Sequence, residues 1–170
     1  MKWRYTCLSV IVLVLFGCVT SQPMVSMEKG VSLKGYSSFY VPDVANQTGN
    51  EYEFDVAGTL TQEIKEELGN RGLDVTEDKS TENLLVVTCS LVSYEPGSAF
   101  KRWLVPGYGK TQATVKTLLI DNTSNEVLGE FISAEAVSAG GLYSAGADKR
   151  ILAAIAQGIA DQIESLLKTD

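Results

Sequence analysis

The sequence has 170 residues, of which 45% are hydrophobic and 21% are charged, and its formal net charge is -7. This length suits one globular domain with a substantial core and is marginal for two. The acidic balance argues against a nucleic-acid-binding protein, which needs a basic surface to neutralise phosphates. The chain contains no histidine, which excludes His-based metal sites, Ser-His-Asp triads and Cys-His dyads. We therefore expect no enzymatic activity, no metal and no cofactor.

The N-terminus has the build of a secretory signal peptide. Lys2 and Arg4 precede an apolar run over residues 7–16. This run has about ten residues, whereas a membrane-spanning helix needs about 20. A basic segment followed by a short apolar one therefore indicates a cleaved signal rather than a membrane anchor.

The motif that ends this run looks like a bacterial lipobox, Leu15-Phe16-Gly17-Cys18. At a lipobox the cysteine thiol receives diacylglycerol, the signal is cut just before it, and the new amino terminus is acylated. Phe16 departs from the small residue that is common at its position. We predict that residues 1–17 are a lipoprotein signal peptide and that Cys18 carries the lipid.

The lipid would hold the protein on a membrane. Each buried CH₂ of an acyl chain contributes about 0.8 kcal/mol, so two or three chains together anchor a protein stably. In lipoproteins of Gram-negative bacteria, Asp after the acylated cysteine commonly retains the protein in the inner membrane. This chain has Val19 there. The class pattern therefore favours the outer membrane, with the protein facing the periplasm.

Cysteine content agrees with this assignment. The chain has three cysteines; Cys7 leaves with the signal, and Cys18 is consumed by lipid. Only Cys89 remains, so a disulfide within one chain is impossible. Cys89 lies in an apolar run that reads as a buried strand, where we expect it to act as a small hydrophobic residue.

The mature chain reads as a tether followed by one domain. Residues 18–33 show no steady hydrophobic period and contain Pro23 and Gly30. We predict that they form the lipidated N-terminus and a flexible tether. Residues 34–170 then form a single periplasmic α/β domain.

The first half of that domain contains one strand and one helix. Residues 36–41 alternate between apolar and polar side chains and predict a strand, and residues 46–50 predict a loop. From Phe54 onward, apolar residues recur every four positions as far as Leu68. This spacing predicts an amphipathic helix, which stops at the Gly-containing stretch 69–72.

The second half is dominated by strand patterns. We predict a short strand over 73–76 and long strands over 84–94, 111–121 and 127–137. Asp148 can start a last helix, whose apolar stripe continues to Leu166. The order β-α-β-β-β-β-α predicts the fold class α/β (α+β). It would be a two-layer sandwich with a mostly antiparallel sheet of about five strands and two helices on one face.

One connection is longer than a turn requires. Residues 95–110 join two predicted strands, although hairpin loops usually take about 2–5 residues and longer loops tend to be functional. The segment carries three aromatic and three cationic side chains in an acidic protein. The strands on either side run up and down, so residues 138–147 and the start of the last helix, with Lys149 and Arg150, must lie at the same end of the sheet.

This convergence predicts a partner-binding surface for an acidic or glycan-like partner. Its members share an aromatic or cationic side chain in the two connections. They are Arg102, Trp103, Tyr108, Lys110 and Tyr143. The alternative is that Arg102 pairs with a local carboxylate and the aromatic residues pack the loop against the sheet.

Other motifs fail on their spacing. Gly109-Lys110-Thr111 resembles the end of a phosphate-binding loop, but Leu104 stands where its first glycine belongs, and a strand follows where a helix is required. Ser98 and Lys101 have the spacing of a Ser-x-x-Lys hydrolase pair, but they lie in a loop rather than at a helix start.

Several segments together are similar to those of a family of small bacterial lipoproteins with a domain of unknown function. They are Phe39-Tyr40-Val41-Pro42-Asp43, Leu68…Gly72-Leu73-Asp74-Val75, Tyr94-Glu95-Pro96-Gly97-Ser98, Arg102…Pro106-Gly107-Tyr108-Gly109 and Leu119-Ile120-Asp121. The resemblance covers roughly three-quarters of the chain. It implies a periplasmic α/β sandwich like those of envelope-assembly accessory proteins, with no substrate and no catalytic residue.

The sequence therefore predicts a membrane-anchored periplasmic lipoprotein that acts as a non-enzymatic interaction or scaffold module. Its partners would be the membrane, through the lipid on Cys18, and a protein complex of the cell envelope or of secretion. One alternative is an auxiliary lipoprotein of a transport system that binds a lipid or small ligand, which requires an apolar pocket between helices and sheet. The other is an envelope hydrolase, which would need the Ser-Lys pair or two close carboxylates.

Overall fold

The computed structural model describes residues 25–27, 32–97, 110–137 and 147–168, and within these ranges the chain forms seven strands and two helices. The strands, in chain order, are β1 (Val25–Met27), β2 (Ser38–Tyr40), β3 (Ala45–Asn46), β4 (Asp74–Val75), β5 (Leu84–Glu95), β6 (Thr111–Asp121) and β7 (Val127–Val137). The helices are α1 (Val56–Asn70), between β3 and β4, and α2 (Ala147–Lys168), after β7.

The strands form one mixed sheet in the order β1-β7-β6-β5-β2-β4, and β3 also pairs with β5. The long strands β5, β6 and β7 form an antiparallel meander, which β1 extends along the outer edge of β7. The short strands β2 and β3 pair parallel with β5, and β4 pairs parallel with β2. The predicted α/β sandwich with two helices is confirmed. The sheet has two short strands, β1 and β3, beyond the five expected. It is also less uniformly antiparallel than expected, because β2, β3 and β4 form parallel pairs.

The meander has one buried and one open face. In β5 the side chains of Leu85, Val87, Cys89 and Leu91 are buried, while those between them are only partly covered. This alternation fixes the strand register, because a slip by one residue would turn the apolar set towards solvent. A register shift after Leu91 changes the phase, so that Tyr94 is again buried.

Both helices contribute to the same core as the buried face of the sheet. The buried apolar residues recur every three or four positions in each helix, as the sequence predicts. They are Val56, Leu60, Ile64 and Leu68 in α1, and Ile151, Leu152, Ile155, Ile159 and Ile163 in α2. The helices run parallel, because Arg71, just after α1, binds Asp161 and Glu164 in the last third of α2.

The two ends of the domain differ in structure. We call the end at which β5 finishes and β6 begins the loop end, and the opposite end, which holds the β6–β7 turn, the turn end. At the turn end, Asp121 Oδ1 accepts hydrogen bonds from the backbone N–H groups of Thr123 at 3.0 Å and Ser124 at 2.6 Å. Asn125 adopts a φ of 58°, which asparagine tolerates better than most residues.

The structure differs from the predicted tether. Val25–Met27 lies inside residues 18–33 but forms β1, which pairs with β7 from Phe131 to Gly129. Leu33, also in that segment, is fully buried in the core. These residues are ordered by long-range pairing and burial, which hydrophobic periodicity over a short segment does not reveal.

Three boundaries also differ from the predictions. The first strand covers only Ser38–Tyr40, and the predicted loop at 46–50 begins inside the two-residue strand Ala45–Asn46. The first helix begins at Val56, not Phe54, because Asp55 is its N-cap and accepts a hydrogen bond from the N–H of Gly58 at 2.8 Å. Asp is among the preferred residues at this position.

Candidate partner-binding surface at the loop end

The strand register brings two long connections to one end of the domain. Glu95 pairs with Gln112, and Thr111 pairs with Val137, so the end of β5, the start of β6 and the end of β7 lie side by side. The β5–β6 and β7–α2 connections therefore start from the same edge of the sheet. This confirms the prediction that both connections leave the sheet at the same end, although residues 98–109 and 138–146 lie outside the described residues.

Both helices begin at the loop end. The residues before α1 contact Tyr94 near the end of β5, and α1 and α2 run in the same direction. The unpaired N–H groups of the first turn give each helix N-terminus a partial positive charge. At α1 the carboxylate of Asp55 caps the helix and so offsets part of this positive charge.

An aromatic cluster occupies the loop end. The rings of Tyr52 and Tyr94 meet edge to face with centroids 4.9 Å apart, and Phe54 meets Tyr94 edge to face at 6.4 Å. The Tyr52 hydroxyl donates to the carbonyl oxygen of Tyr94 at 3.2 Å and lies 2.8 Å from Oγ1 of Thr48. Phe54 remains 36% exposed, so the cluster presents an apolar side chain to solvent.

This cluster was not predicted from the sequence, because the apolar period begins at Phe54 and so places that residue in the helix. The available signal was Asp55, a favoured N-cap residue directly before the apolar period of α1. A helix that starts after Asp55 leaves Tyr52 and Phe54 in the preceding loop. The segment is then free to turn its aromatic rings towards β5.

A shallow groove lies on the sheet at the loop end. Its cavity volume is about 330 Å³, and it is lined mainly by the ends of the three long strands: Ser93, Glu95, Gln112, Ala113, Thr114, Ala134, Glu135 and Ala136. Exposed Glu95 and Glu135 make its rim acidic. This polar groove does not match the apolar pocket between helices and sheet that the lipid-binding alternative requires.

The described cationic residues at this end are exposed. Lys110 lies one residue before β6, and Lys149 and Arg150 lie in the first turn of α2. Of the predicted surface, Lys110 is therefore at the loop end and accessible. Arg102, Trp103, Tyr108 and Tyr143 lie outside the described residues, as does the lipidation site, Cys18.

The chemistry of the remaining candidates is limited. Cys89 is fully buried, its Sγ lies 3.5 Å from Oγ1 of Thr117, and burial raises the pKa of its thiol to about 11. It is therefore protonated at neutral pH and unsuited to nucleophilic attack. Ser98 and Lys101 lie outside the described residues.

Within the described ranges, no group of Cys, Asp and Glu side chains is arranged to hold a metal ion. Of the two helices described above, neither is long and apolar enough to cross a membrane.

Comparison with known proteins identifies a family. A family model described as a domain of unknown function, DUF4410, matches residues 24–141, from just before β1 to just beyond β7. This match bears out the predicted resemblance as far as the domain of unknown function is concerned. A search of curated proteins found no match.

Solved structures show that the fold is shared. The hypothetical protein CT253 from Chlamydia trachomatis is 12% identical, with a TM-score of 0.59 over 79% of this chain and 99% of that protein. PelC from Paraburkholderia phytofirmans, solved as a dodecamer, is 17% identical, with a TM-score of 0.54 over 79% and 97%. A DUF4136 family protein from Bacteroides thetaiotaomicron is 13% identical, with a TM-score of 0.50 over 86% and 96%.

Proposed function

This chain belongs to the DUF4410 family, and we propose that it is a membrane-anchored periplasmic lipoprotein that serves as a non-enzymatic interaction module of an envelope or secretion complex. In this proposal the loop end is the docking surface. The observation that supports it is the strand register, because both long connections start from one end of the sheet. Both helices also begin at that end, and Phe54 is exposed there. Connections on a rigid scaffold are where binding residues concentrate.

The anchor is proposed from the lipobox. The basic and apolar residues before Cys18 have the order and length of a lipoprotein signal. A diacylglycerol and an N-acyl chain together hold a protein on a bilayer far longer than one chain does. Val19 favours the outer membrane over the inner one.

The docking role is proposed from the composition of the two connections. Their side chains include Arg102, Trp103, Tyr108, Lys110 and Tyr143. Aromatic and arginine side chains are enriched in the energetic centres of protein interfaces. Together with Phe54, which the structure adds to this end, they suit an acidic or glycan-like partner.

Metabolic labelling with a clickable palmitate analogue tests the anchor. We expect label on the wild-type protein in the outer-membrane fraction and none on the Cys18→Ala variant, because the variant has no thiol to receive diacylglycerol. An unlabelled wild-type protein, or one that keeps residues 1–17, would contradict the lipoprotein assignment.

Crosslinking in intact cells tests the docking surface. A photo-crosslinking amino acid is placed at Phe54 or Lys110 at the loop end, and at Thr123 at the turn end as the matched control. All three positions are exposed. We expect a discrete protein or glycan adduct from the first two positions and none from the third. Equal adducts from both ends would show that the loop end has no special role.

A double variant distinguishes a role of the 95–110 connection in partner binding from a purely structural role. We expect the combined Arg102→Ala and Trp103→Ala changes to abolish capture of the crosslinked partner and to leave the unfolding temperature close to that of the wild type. Unchanged capture with a lowered unfolding temperature would mean that the connection only packs against the sheet.

A further inference from the structure

The direction of β1 in the sheet shows which end of the domain its N-terminal residue faces. Val25 pairs with Phe131 and Met27 pairs with Gly129, so β1 runs antiparallel to β7 and points towards the turn end. The N-terminal end of β1, at Val25, therefore faces the loop end. The chain joins the edge of β7 about midway along that strand.

The length of the chain before β1 limits where the lipid can be. Seven residue steps separate Cys18 from Val25. An extended chain spans at most about 3.5 Å per residue, so the two positions are no more than about 25 Å apart. From Phe131, the partner of Val25, β7 continues for about 20 Å to its end at Val137, at the loop end. If the residues before Val25 continue the line of β1, Cys18 lies level with the loop end. For Cys18 to lie at the turn end, the chain would have to reverse its direction before it enters β1.

Exposed carboxylates lie at both ends, with Glu126 at the turn end and Glu95 and Glu135 at the loop end, so acidic side chains do not distinguish the two ends. The helix dipoles do differ, because both helices begin at the loop end with their positive ends and finish towards the turn end with their negative ends. The loop end also carries exposed Phe54 and the exposed cation Lys110, and aromatic and cationic side chains are typical of bilayer interfaces.

We propose that the domain stands with its loop end towards the bilayer that holds the Cys18 lipid, and its turn end away from it. The inference rests on the lipid anchor of the proposed function and deepens that function, because it restricts the partner of the loop end to one that is reached at the membrane surface. The short tether and the direction of β1 set this orientation.

Quenching by lipid tests the orientation. The lipidated protein is reconstituted in vesicles of phosphatidylethanolamine and phosphatidylglycerol that contain a headgroup-quencher lipid. A fluorophore is attached through Glu53→Cys at the loop end or through Thr123→Cys at the turn end. Cys89 stays unlabelled because it is buried. The long strands separate the ends by about 35 Å, so we expect quenching to be at least about twofold stronger at position 53. Equal quenching, or stronger quenching at position 123, would overturn the proposal.

A longer tether tests the cause. Insertion of about twelve Gly and Ser residues between Thr20 and Ser21 adds a flexible chain that can reach around the domain. We expect the difference in quenching between the two positions to fall by at least about half, since the long linker no longer favours one end. An unchanged difference in quenching after the insertion would show that the short tether does not set the orientation.

The same samples distinguish failure of this inference from failure of the anchor. Mass spectrometry gives the lipid on Cys18, and flotation gives the fraction of protein on the vesicles. A protein without lipid that does not float contradicts the proposed function, and the orientation fails with it. An acylated protein that floats but shows no difference between positions 53 and 123 overturns the orientation alone.

Discussion

The Tyr36 hydroxyl donates a hydrogen bond to Oδ2 of Asp121 across 2.6 Å and so joins the segment before β2 to the last residue of β6. This hydrogen bond, with those from the N–H groups of Ser124 and Thr123, lowers the pKa of Asp121 from 3.8 to about 2. Burial, and then the same hydrogen bond, raises the pKa of Tyr36 to about 12. The pair stabilises the turn end while Tyr36 is protonated and Asp121 is ionised.

We expect Tyr36→Phe to lower the free energy of unfolding at neutral pH by about 1.5 kcal/mol. This is the lower end of the range for a hydrogen bond to a charged group, because the pair is only partly buried. The folded-state pKa of Asp121 lies below its unfolded value of 3.8. Its contribution is therefore complete above pH 4 and is lost as the pH falls towards 2. The variant should lose less stability than the wild type over this range, as measured by urea denaturation at several pH values.

Tyr40→Phe is the matched control for this prediction. The Tyr40 ring lies 4.4 Å from Nζ of Lys79, a contact that phenylalanine keeps. We expect a change below about 0.5 kcal/mol. Equal costs and equal acid profiles for the two variants would show that the Tyr36–Asp121 hydrogen bond is not responsible.

Arg71 links the two helices through three carboxylates. Its guanidinium lies 2.9 Å from Glu67, 2.5 Å from Asp161 and 3.1 Å from Glu164, and its side chain is only 14% exposed. We expect Arg71→Met to lower the free energy of unfolding by about 2 kcal/mol, because the three carboxylates then lose the cation that they share. Glu164 keeps its second ion pair, with Lys168. Arg71→Lys should cost about 1 kcal/mol, since an ammonium group cannot bond to all three.

The ion pair of partly buried Lys65 with exposed Glu77, at 2.7 Å, is the control for Arg71. Lys65→Met should cost less than about 0.5 kcal/mol in chemical denaturation, because solvent screens this pair. High salt should diminish the cost of Arg71→Met, since it screens the repulsion that remains. A cost for Arg71→Met no larger than that for Lys65→Met would contradict the role of Arg71.

Substitution by alanine should change the free energy of unfolding in opposite directions at two helical glycines. A Cβ at Gly158 meets nothing within 4 Å, so Gly158→Ala should raise the free energy of unfolding by about 0.5–1 kcal/mol. A Cβ at Gly58 would lie 2.2 Å from Oδ2 of Asp55 and displace the N-cap carboxylate. Loss of a cap costs about 1 kcal/mol, so Gly58→Ala should give no gain or a net loss.

The Asp55→Ala background checks this explanation by thermal denaturation. With no carboxylate to displace, Gly58→Ala should become stabilising there, as at position 158. If it destabilises the protein equally in both backgrounds, the clash with Asp55 is not the cause.

Reaction of Cys89 with a maleimide should report global unfolding. The thiol is fully buried and its pKa is about 11. In the Cys18→Ala mature protein we expect labelling at neutral pH to be at least about 100-fold slower in buffer than in denaturant, because it must wait for opening of the core. Mass spectrometry measures both rates. Comparable rates would contradict burial of Cys89.

The long elements of the second half could be predicted from the sequence because each one contains a full hydrophobic period. The bounds of β6 and β7 agree with the predicted ranges. The strands β1 and β3 have three and two residues. They are too short to show a period, and they exist because β7 and β5 offer edges for pairing.

The parallel pairing of β2 with β4 could have been predicted from the order of the elements. A strand, a helix and a strand in succession, as in β2, α1 and β4, normally return parallel. At the candidate site, the shared loop end followed from the alternating direction of the long strands. The ring contacts of Tyr52 and Phe54 could not be predicted, because they depend on where Tyr94 lies in space.

The edge strand β1 is the first of the described strands to be synthesised, yet its pairing partner, β7, is the last of them. Val25 pairs with Phe131, on the order of a hundred residues later in the chain. A nascent polypeptide therefore holds β1 unpaired until β7 has been made, and closing so distant a contact carries an entropic cost. The amino-terminal segment thus stays accessible to processing enzymes while the rest of the domain is being completed.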